Sequence, residues 1–335
     1  MTSVWEALAR SPHEACMAGV GFLLSRQSDA GLWSDFHLAP GLSDEWITGY
    51  VGDRLAGVPG TEAALNRAWS ALVDRRGERG GRGWGYNVDV PQDADSTAWV
   101  LRLAQHVGHG DDEAAVDARA SLAAFRHGDG MLGTYGPTGD IARFIDADPG
   151  RDFRGWTAPH PCVTAAAAGV SGLVDAEVLL AAQRPDGRWR SYWWASDSFA
   201  TALAVEALAS YPAASSAIHR AGQWANESLG SSDLTAFEIA NLVTITAFAG
   251  ACDATAVRTL TMTMLADGSW ASGALLRVPH PQDTDPDAVI DWTPGGRVEG
   301  AVVEDLRRVF TTATIVHALT LSIREGSWSG EGREA

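Results

Sequence analysis

Lysine is missing from this 335-residue sequence: all 25 basic side chains are arginine, against 42 Asp and Glu. Without lysine the chain cannot form a Schiff base with a carbonyl substrate or with pyridoxal phosphate, and it has no Walker-type phosphate lysine. The formal net charge of −17 argues against nucleic acid or an anionic membrane as a partner.

Cysteines and long apolar runs are also scarce. Cys16, Cys162 and Cys252 lie far apart and form no C-x-x-C pair, so we expect neither a disulfide framework nor a cysteine-rich zinc site. No apolar run approaches the roughly 20 residues of a membrane-spanning helix. The first residues lack the basic-then-apolar pattern of a secretion signal. We therefore predict no integral membrane segment and a cytoplasmic location.

Tryptophan, by contrast, is abundant, with 14 copies, and it recurs in a repeated pattern. An apolar helical stretch is followed by a turn that contains Asp and Gly, and then by a Trp. The pattern is clearest in LLSRQSDAGLWSDF (23–36), LLAAQRPDGRWRSYW (179–193) and TMTMLADGSWASG (261–273). Such internal similarity predicts a repeat architecture.

A second helix follows each turn, with a polar start and a body of small or apolar residues. These segments are 43–56, 93–104, 160–173, 196–208, 231–250 and 308–321. Alternating strand patterns are few. We therefore predict an all-α fold, an α/α toroid of about six helix–turn–helix repeats, with residues 1–335 forming a single domain.

Two carboxylates, Asp93 and Asp95, stand two residues apart where one of these helices begins. The simplest interpretation makes Asp95 an N-cap, because Asp44, Asp197 and Asp233 occupy matching positions in other units. Asp93 then has no obvious structural role. The alternative interpretation is that the pair is chemically active.

The repeats resemble the QW motifs of squalene-hopene cyclases and related class II terpene cyclases. Gln27–Gly31–Trp33 and Gln183–Gly187–Trp189 match the Q-x-x-x-G-x-W turn. The stretch VPQDADSTAW (90–99) is similar to the acidic D-x-D-D-T-A signature of that family. The resemblance covers the repeats over nearly the whole chain.

The resemblance implies that Asp95, at the middle acidic position, is a proton donor for an alkene or an epoxide, with Asp93 beside it. An ordinary Asp is ionised at neutral pH, but a neighbouring carboxylate and an apolar environment both favour the protonated form. Ser96 replaces the last Asp of the motif. Ala166 stands where hopene-type enzymes have a histidine that contacts the donor, and we consider His160 as a substitute for it.

Aromatic rings stabilise carbocations without reacting with them. The candidate substrate-binding residues on or just before the predicted inner helices are Trp46, Trp84, Tyr86, Trp99, His160, Asp305 and Phe310. Trp33, Trp189 and Trp270 belong to the outer turns, where we expect them to join adjacent units.

Residues 277–300 interrupt the last repeat with an acidic, proline-rich segment. We interpret it as a loop insertion and a possible lid over the cavity. Its alternating Asp283, Asp285 and Asp287 are weak candidates for Mg²⁺ ligands, which only a diphosphate substrate would require. The reaction itself needs no cofactor.

We therefore predict a class II terpene cyclase-like enzyme that cyclises an apolar linear isoprenoid or a prenylated substrate. Two alternatives remain open from the sequence: a non-catalytic toroid that binds an apolar ligand or a protein partner, and an α/α-barrel carbohydrate-active enzyme. A homodimer is also possible.

Overall fold

The computed structural model describes residues 10–331 apart from 137–139 and 149, and most of this part of the chain is helical. Short 3₁₀ helices lie at Leu122–Phe125, Pro212–Ala214 and Pro286–Ala288. The α-helices are α1 (Pro12–Arg26), α2 (Glu45–Arg54), α3 (Glu62–Arg79), α4 (Ala94–His106), α5 (Glu113–Ser121), α6 (Asp140–Phe144), α7 (Arg154–Thr157), α8 (Pro161–Ala168), α9 (Ala176–Ala182), α10 (Asp197–Leu208), α11 (Ser215–Ser228), α12 (Ala236–Phe248), α13 (Ala254–Met262) and α14 (Val309–Glu331).

The inner helices form a closed ring. Helix α2 packs on α4, α4 on α8, α8 on α10, α10 on α12, α12 on α14, and α14 returns to α2. Small residues allow close approach, since a Cβ atom at Gly49 of α2 would lie only 2.7 Å from the backbone nitrogen of Val100 on α4. The outer helices α1, α3, α5, α9, α11 and α13 pack around this ring. The predicted α/α toroid of about six repeats is confirmed.

The two Gln-Gly-Trp turns, at Gln27–Trp33 and Gln183–Trp189, join adjacent repeats. The indole N–H of Trp189 donates to the Leu179 carbonyl at 2.7 Å, and the Gln183 amide donates to the carbonyls of Gly187 and Ala217, both at 2.8 Å. Because Ala217 belongs to the next outer helix, Gln183 ties two repeats together. Trp33 and Trp270 make the equivalent bonds to Leu23 and Leu260, also at 2.7 Å. The predicted structural role of these three outer tryptophans agrees with their contacts.

Two small sheets lie beside the ring, in segments that the sequence did not predict as strands. They consist of β1 (Asp35–Leu38) with β2 (Gly41–Ser43), and of β3 (Leu275–Val278), β4 (Thr293–Pro294) and β5 (Ala301–Glu304). In the second sheet β5 is central, antiparallel to β3 and parallel to β4. The predicted loop at 277–300 is therefore part of a small sheet. We call residues 275–304 the flap.

The centre of the ring contains aromatic side chains on one level and charged side chains on another. Phe310 stacks on Tyr50 and on Trp194, with ring centroids 4.0 and 4.8 Å apart. Further along the inner helices, the guanidinium of Arg102 pairs with Asp53 at 2.8 Å and with Glu206. In the described part of the chain no helix is long and apolar enough to cross a membrane.

Candidate active site

A cavity of about 560 Å³ lies at the end of the ring where the inner helices begin. Its walls come from the first turns of α2 and α4, from residues 134–135, 141–145 and 151–156, from residues 193–194 and from the flap. The lining residues are Leu38, Ala39, Pro40, Trp46, Tyr86, Val90, Asp93, Asp95, Ser96, Thr134, Tyr135, Ile141, Phe144, Ile145, Arg151, Trp156, Trp193, Trp194, Leu276, Val278, Arg297, Val298 and Glu299. Most of this surface is apolar or aromatic, and the carboxyl groups are concentrated at the start of α4.

The N-cap of α4 is Asp93, not Asp95 as the sequence interpretation had it. The Asp93 carboxylate accepts hydrogen bonds from the backbone N–H and the hydroxyl of Ser96, both at 2.7 Å. Two other predicted caps shift as well, since Ser196 caps α10 and Thr235 caps α12. Asp44 is the N-cap residue of α2 as predicted, but its side chain makes no capping bond. Asp95 therefore does not cap α4, and its carboxyl is not engaged in that structural role.

Asp95 lies in the first turn of α4 and keeps part of its surface open to the cavity. Burial raises the pKa of its carboxyl, the charge of Asp93 raises it further, and the value reaches about 8. Since two hydrogen bonds stabilise the charged form of Asp93, Asp93 is the member of the pair that holds the negative charge. Asp95 therefore carries a proton at neutral pH, as an acid catalyst must.

Aromatic side chains form the walls around this acid. Trp46 stacks on Tyr86 with ring centroids 6.4 Å apart and lies 6.0 Å from Trp194. On the other side Trp156 and Trp193 lie 5.9 Å apart. Of the residues that the sequence predicted for substrate binding, Trp46 and Tyr86 are the two that line the cavity.

Three of the predicted aromatic residues do not line the cavity. Trp84 is fully buried in a turn, where its indole N–H donates to the Leu72 carbonyl at 2.7 Å. Trp99 and Phe310 face the packed centre of the ring rather than the cavity, and Trp99 packs on Tyr50 with centroids 4.7 Å apart. Trp99 nevertheless follows Asp95 by four residues, so it lies on the same face of α4 one turn away.

The two predicted polar residues, His160 and Asp305, do not line the cavity either. The ring of His160 hydrogen-bonds to the Thr134 hydroxyl and to the Gly155 carbonyl, both at 2.9 Å, and does not line the cavity. Burial lowers its pKa to about 3, so this histidine is neutral. Asp305 is fully buried and accepts hydrogen bonds from the backbone N–H groups of Gly273 and Thr311.

Two members of the acidic triplet of the flap, Asp285 and Asp287, pair with arginines. Asp287 pairs with Arg277 at 2.6 Å and with Arg190 at 2.7 Å, and Asp285 pairs with Arg190 too. Within the residues that the structure describes, no group of three His, Cys, Asp or Glu side chains is arranged to hold a metal ion. The proposal that the triplet binds Mg²⁺ is therefore not supported by the geometry. The pair between Asp287 and Arg277 lies within the flap, whereas the pairs with Arg190 join the flap to the ring.

Sequence reasoning missed several cavity residues. Thr134 and Tyr135 lie in a loop and Trp156 lies in the short helix α7, all outside the clear copies of the repeat. Trp193 and Trp194 follow a recognised turn, but the turn motif does not show that they point into the cavity. One overlooked signal concerns Trp84, whose backbone N–H donates to the hydroxyl of Thr97, as that of Trp33 does to Thr48. The Trp–Thr pairing marks a structural turn tryptophan.

Charged side chains surround the mouth of the cavity. Arg151 pairs with Glu299, and Arg297 is exposed on the flap, where its backbone carbonyl accepts from the Ala39 N–H at 2.7 Å. The apolar side chains Phe144 and Val298 are exposed at the same rim, 39% and 60% respectively. The cavity thus has an acid at its inner end, aromatic walls, and arginines at its opening.

An α/α toroid with a protonated carboxyl facing an aromatic cavity is the arrangement of a protonation-initiated terpene cyclase. The comparisons with solved structures establish that the chain belongs to the type II terpene cyclase family. A variant of the type II terpene cyclase MstE from Scytonema, in complex with geranylgeranyl dihydroxybenzoate as substrate, is 31% identical over 94% of this chain and 98% of that chain, with a TM-score of 0.88. The chain is therefore related to enzymes that cyclise prenylated substrates.

Two further structures extend this result. A protein from Actinoplanes is 36% identical over 93% of this chain and 100% of that chain, with a TM-score of 0.86. The ent-copalyl diphosphate synthase from Streptomyces platensis is 20% identical over 83% of this chain and 50% of that chain, with a TM-score of 0.56, and shows the fold alone. No protein-family model matches the sequence, and a search of curated proteins gives no significant match.

Proposed function

We propose that this enzyme starts cyclisation of a prenylated substrate by transferring the Asp95 proton to a carbon–carbon double bond of the isoprenoid chain. The observation that carries the proposal is the position of Asp95, which faces the apolar cavity and holds its proton up to about pH 8. Asp93 keeps the negative charge, so the two carboxyl groups hold one proton between them. Ser96 holds Asp93 in place by two hydrogen bonds. This pairing follows the general rule for adjacent carboxyl groups.

The atoms balance as an isomerisation. The Asp95 O–H bond breaks, its proton adds to the less substituted carbon of a double bond, and the neighbouring carbon becomes a tertiary cation. The electron pair of the next double bond then forms a ring bond and passes the positive charge along the chain. Loss of a proton from the last cation forms a new double bond and ends the sequence without net change in composition.

The walls of the cavity suit such an intermediate. The ring faces of Trp46, Trp193 and Trp194 attract a cation by about 0.5–2 kcal/mol each. They offer no lone pair of comparable basicity to a carboxylate, so they stabilise the cation without capturing it. The hydroxyl of Tyr86 donates to the carbonyl of Phe36 at 3.0 Å and accepts from the Leu38 N–H at 3.3 Å, so its proton and one oxygen lone pair are both engaged.

The mouth of the cavity points to the substrate class. The MstE substrate carries a geranylgeranyl chain and a benzoate, and an apolar cavity with arginines at its rim fits the same combination of tail and anion. We propose that the isoprenoid chain lies against the aromatic walls, while Arg297 and Arg151 face an anionic head group at the opening. Guanidinium groups bind carboxylates by two parallel hydrogen bonds.

The flap supplies the cover for this cavity within one chain. Leu276 and Val278 of β3 line the cavity directly, and the Arg277 side chain between them donates to the Ser191 carbonyl at 2.8 Å. We propose that the flap acts as the lid over the substrate, as the sequence suggested for residues 277–300. The cytoplasmic location and the homodimer stay predictions from the sequence.

The test is a product assay by gas chromatography–mass spectrometry with four probes: geranylgeranyl dihydroxybenzoate, its methyl ester, geranylgeranyl diphosphate and squalene. We expect a cyclic product of unchanged mass from the free acid, less from the ester, and none from the Asp95→Asn variant. The matched control is Asp253→Asn, at the N-cap of α13, where the carboxylate accepts from the Ala256 N–H at 2.7 Å. Undiminished cyclisation by Asp95→Asn would refute Asp95 as the donor.

A further inference from the structure

The surroundings of Asp95 contain two buried indole N–H groups, those of Trp46 and Trp99. Trp46 is 4% exposed and Trp99 is fully buried. Neither N–H has an acceptor of standard hydrogen-bond geometry among the described residues, although every turn tryptophan has one. Because a buried donor without a partner is costly, such a group in a folded protein calls for an explanation.

Both indoles lie close to the Asp95 carboxyl. Their interaction with it favours the carboxylate and lowers its pKa, against the larger effects of burial and of Asp93. Trp99 reaches Asp95 from one turn further along α4, and Trp46 reaches it from the first turn of α2. The two N–H groups therefore come from two different helices.

We propose that Trp46 and Trp99 are positioning residues whose indole N–H groups donate hydrogen bonds to the carboxylate that forms when Asp95 loses its proton. This inference rests on the proposed function, since it requires Asp95 to be the donor. In the resting enzyme Asp95 is neutral, so the two donors lack a strong acceptor. After proton transfer the carboxylate becomes that acceptor, and hydrogen bonds that are long in the resting state shorten in the transition state.

The surroundings of Trp99 strengthen it as a donor. The guanidinium of Arg102 lies 4.7 Å from the centroid of its ring, and that of Arg54 lies 5.1 Å away. Cations over the face of an indole withdraw electron density from it, which makes its N–H a better donor. Tyr50 fixes the ring edge-on at 4.7 Å. The ring is thus held in place before the reaction starts.

Other groups around Asp95 do not perform this task. Asp93 on the same helix raises the Asp95 pKa, and Arg102 lowers it less than the two indoles do. Tyr135 on the neighbouring segment and Cys162 on α8 also interact with Asp95, and burial raises the pKa of both, so they are neutral. The resemblance placed a histidine at position 166, where this chain has alanine. The indole N–H groups of Trp46 and Trp99 therefore take the place beside Asp95 that the resemblance gives to a histidine.

The experiment replaces the N–H groups and follows the pH dependence of turnover. Trp99→Phe and Trp46→Phe keep an aromatic ring but remove the donor. We expect kcat to fall by about 10²-fold, as when one preorganised oxyanion donor is removed, with KM little changed. We also expect the pH above which activity is lost to move upward, since each indole lowers the Asp95 pKa.

Two controls distinguish the loss of an N–H donor from a packing defect. Trp193→Phe removes another cavity indole whose N–H donates to the Thr134 hydroxyl at 2.7 Å, and it should leave the upper pH limit where it is. If Trp99→Phe does not fold, β-(3-benzothienyl)alanine at position 99 preserves the shape and replaces N–H by sulfur. Loss of activity in Asp95→Asn with no shift of the pH limit in either tryptophan variant would overturn this inference alone. Activity in Asp95→Asn would overturn the proposed function as well.

Discussion

Replacing Asp95 by asparagine tests the electrostatics of the site without any substrate. Burial, with a further contribution from Asp93, raises the pKa of the carboxyl from its ordinary value of 3.8 to about 8. The folded chain therefore keeps a proton that the unfolded chain has released at neutral pH. Each pH unit between the two pKa values changes the free energy of unfolding by about 1.4 kcal/mol.

The direction of the effect follows from these two values. Below about pH 4 both states are protonated, and the carboxyl resembles the amide that replaces it. As the pH rises from about 4 to about 8, only the unfolded state loses its proton, so the native chain loses stability relative to the variant. Above about pH 8 the folded state ionises too, and the difference becomes constant.

We expect Asp95→Asn to raise the free energy of unfolding by roughly 2–4 kcal/mol at pH 7, the lower figure allowing for the part of Asp95 that faces the cavity. The gain should be small near pH 5 and largest near pH 8. Urea unfolding followed by tryptophan fluorescence at several pH values measures it. The Asp253→Asn variant should show no such rise with pH, because asparagine caps a helix as well as aspartate. A gain that does not depend on pH would refute the raised pKa.

Three further outcomes are expected. Turnover should fall tenfold per pH unit above about pH 8, where Asp95 loses its proton, and stay level below it; a pH–rate profile measures this. Gly187→Ala should cost about 2 kcal/mol or more, because Gly187 has a φ of +97° and its new Cβ would lie 2.5 Å from a carbonyl oxygen of α11. Gly21→Ala meets no atom within 4 Å in the middle of α1 and should stabilise the chain by about 0.5–1 kcal/mol, because alanine is the better helix former. A thermal melt measures both. Arg277→Gln removes the 2.6 Å ion pair to Asp287, so the flap should be cut faster by a protease and KM should rise.

The ring and the acid could be predicted from the sequence because both rest on local patterns. Gln27 and Trp33 stand at fixed distances along one turn, and the bonds that they make, to Gly31, Ala64 and Leu23, follow from that turn. A period in the sequence therefore predicts a period in the structure. The acidic pair was found in the same way, as a short motif at a helix start.

The walls of the cavity could not be predicted because they rest on contacts between distant segments. The indole of Trp156 is fixed by a hydrogen bond to the Pro279 carbonyl at 2.9 Å, across 123 positions of the chain. The error at Asp95 has a local cause, since the two acids differ by two positions and the sequence does not fix the start of a helix that closely. Asp305 and His160 looked reactive because they are polar, but the chain uses both in buried hydrogen bonds.

The layered centre of the ring explains how one chain can hold both a reactive acid and a dry cavity. At the far end of the ring, Arg54 and Arg102 form ion pairs with Asp53 and Glu206. The two positive and two negative charges sum to zero next to the aromatic layer. Burial raises the pKa of Asp53, but the two arginines outweigh it and hold that carboxyl ionised. Asp95 lies on the other side of this layer, where burial and the charge of Asp93 keep its pKa high. The same fold thus ionises one buried aspartate and protonates another, and the difference is set by which side of the aromatic layer the arginines occupy.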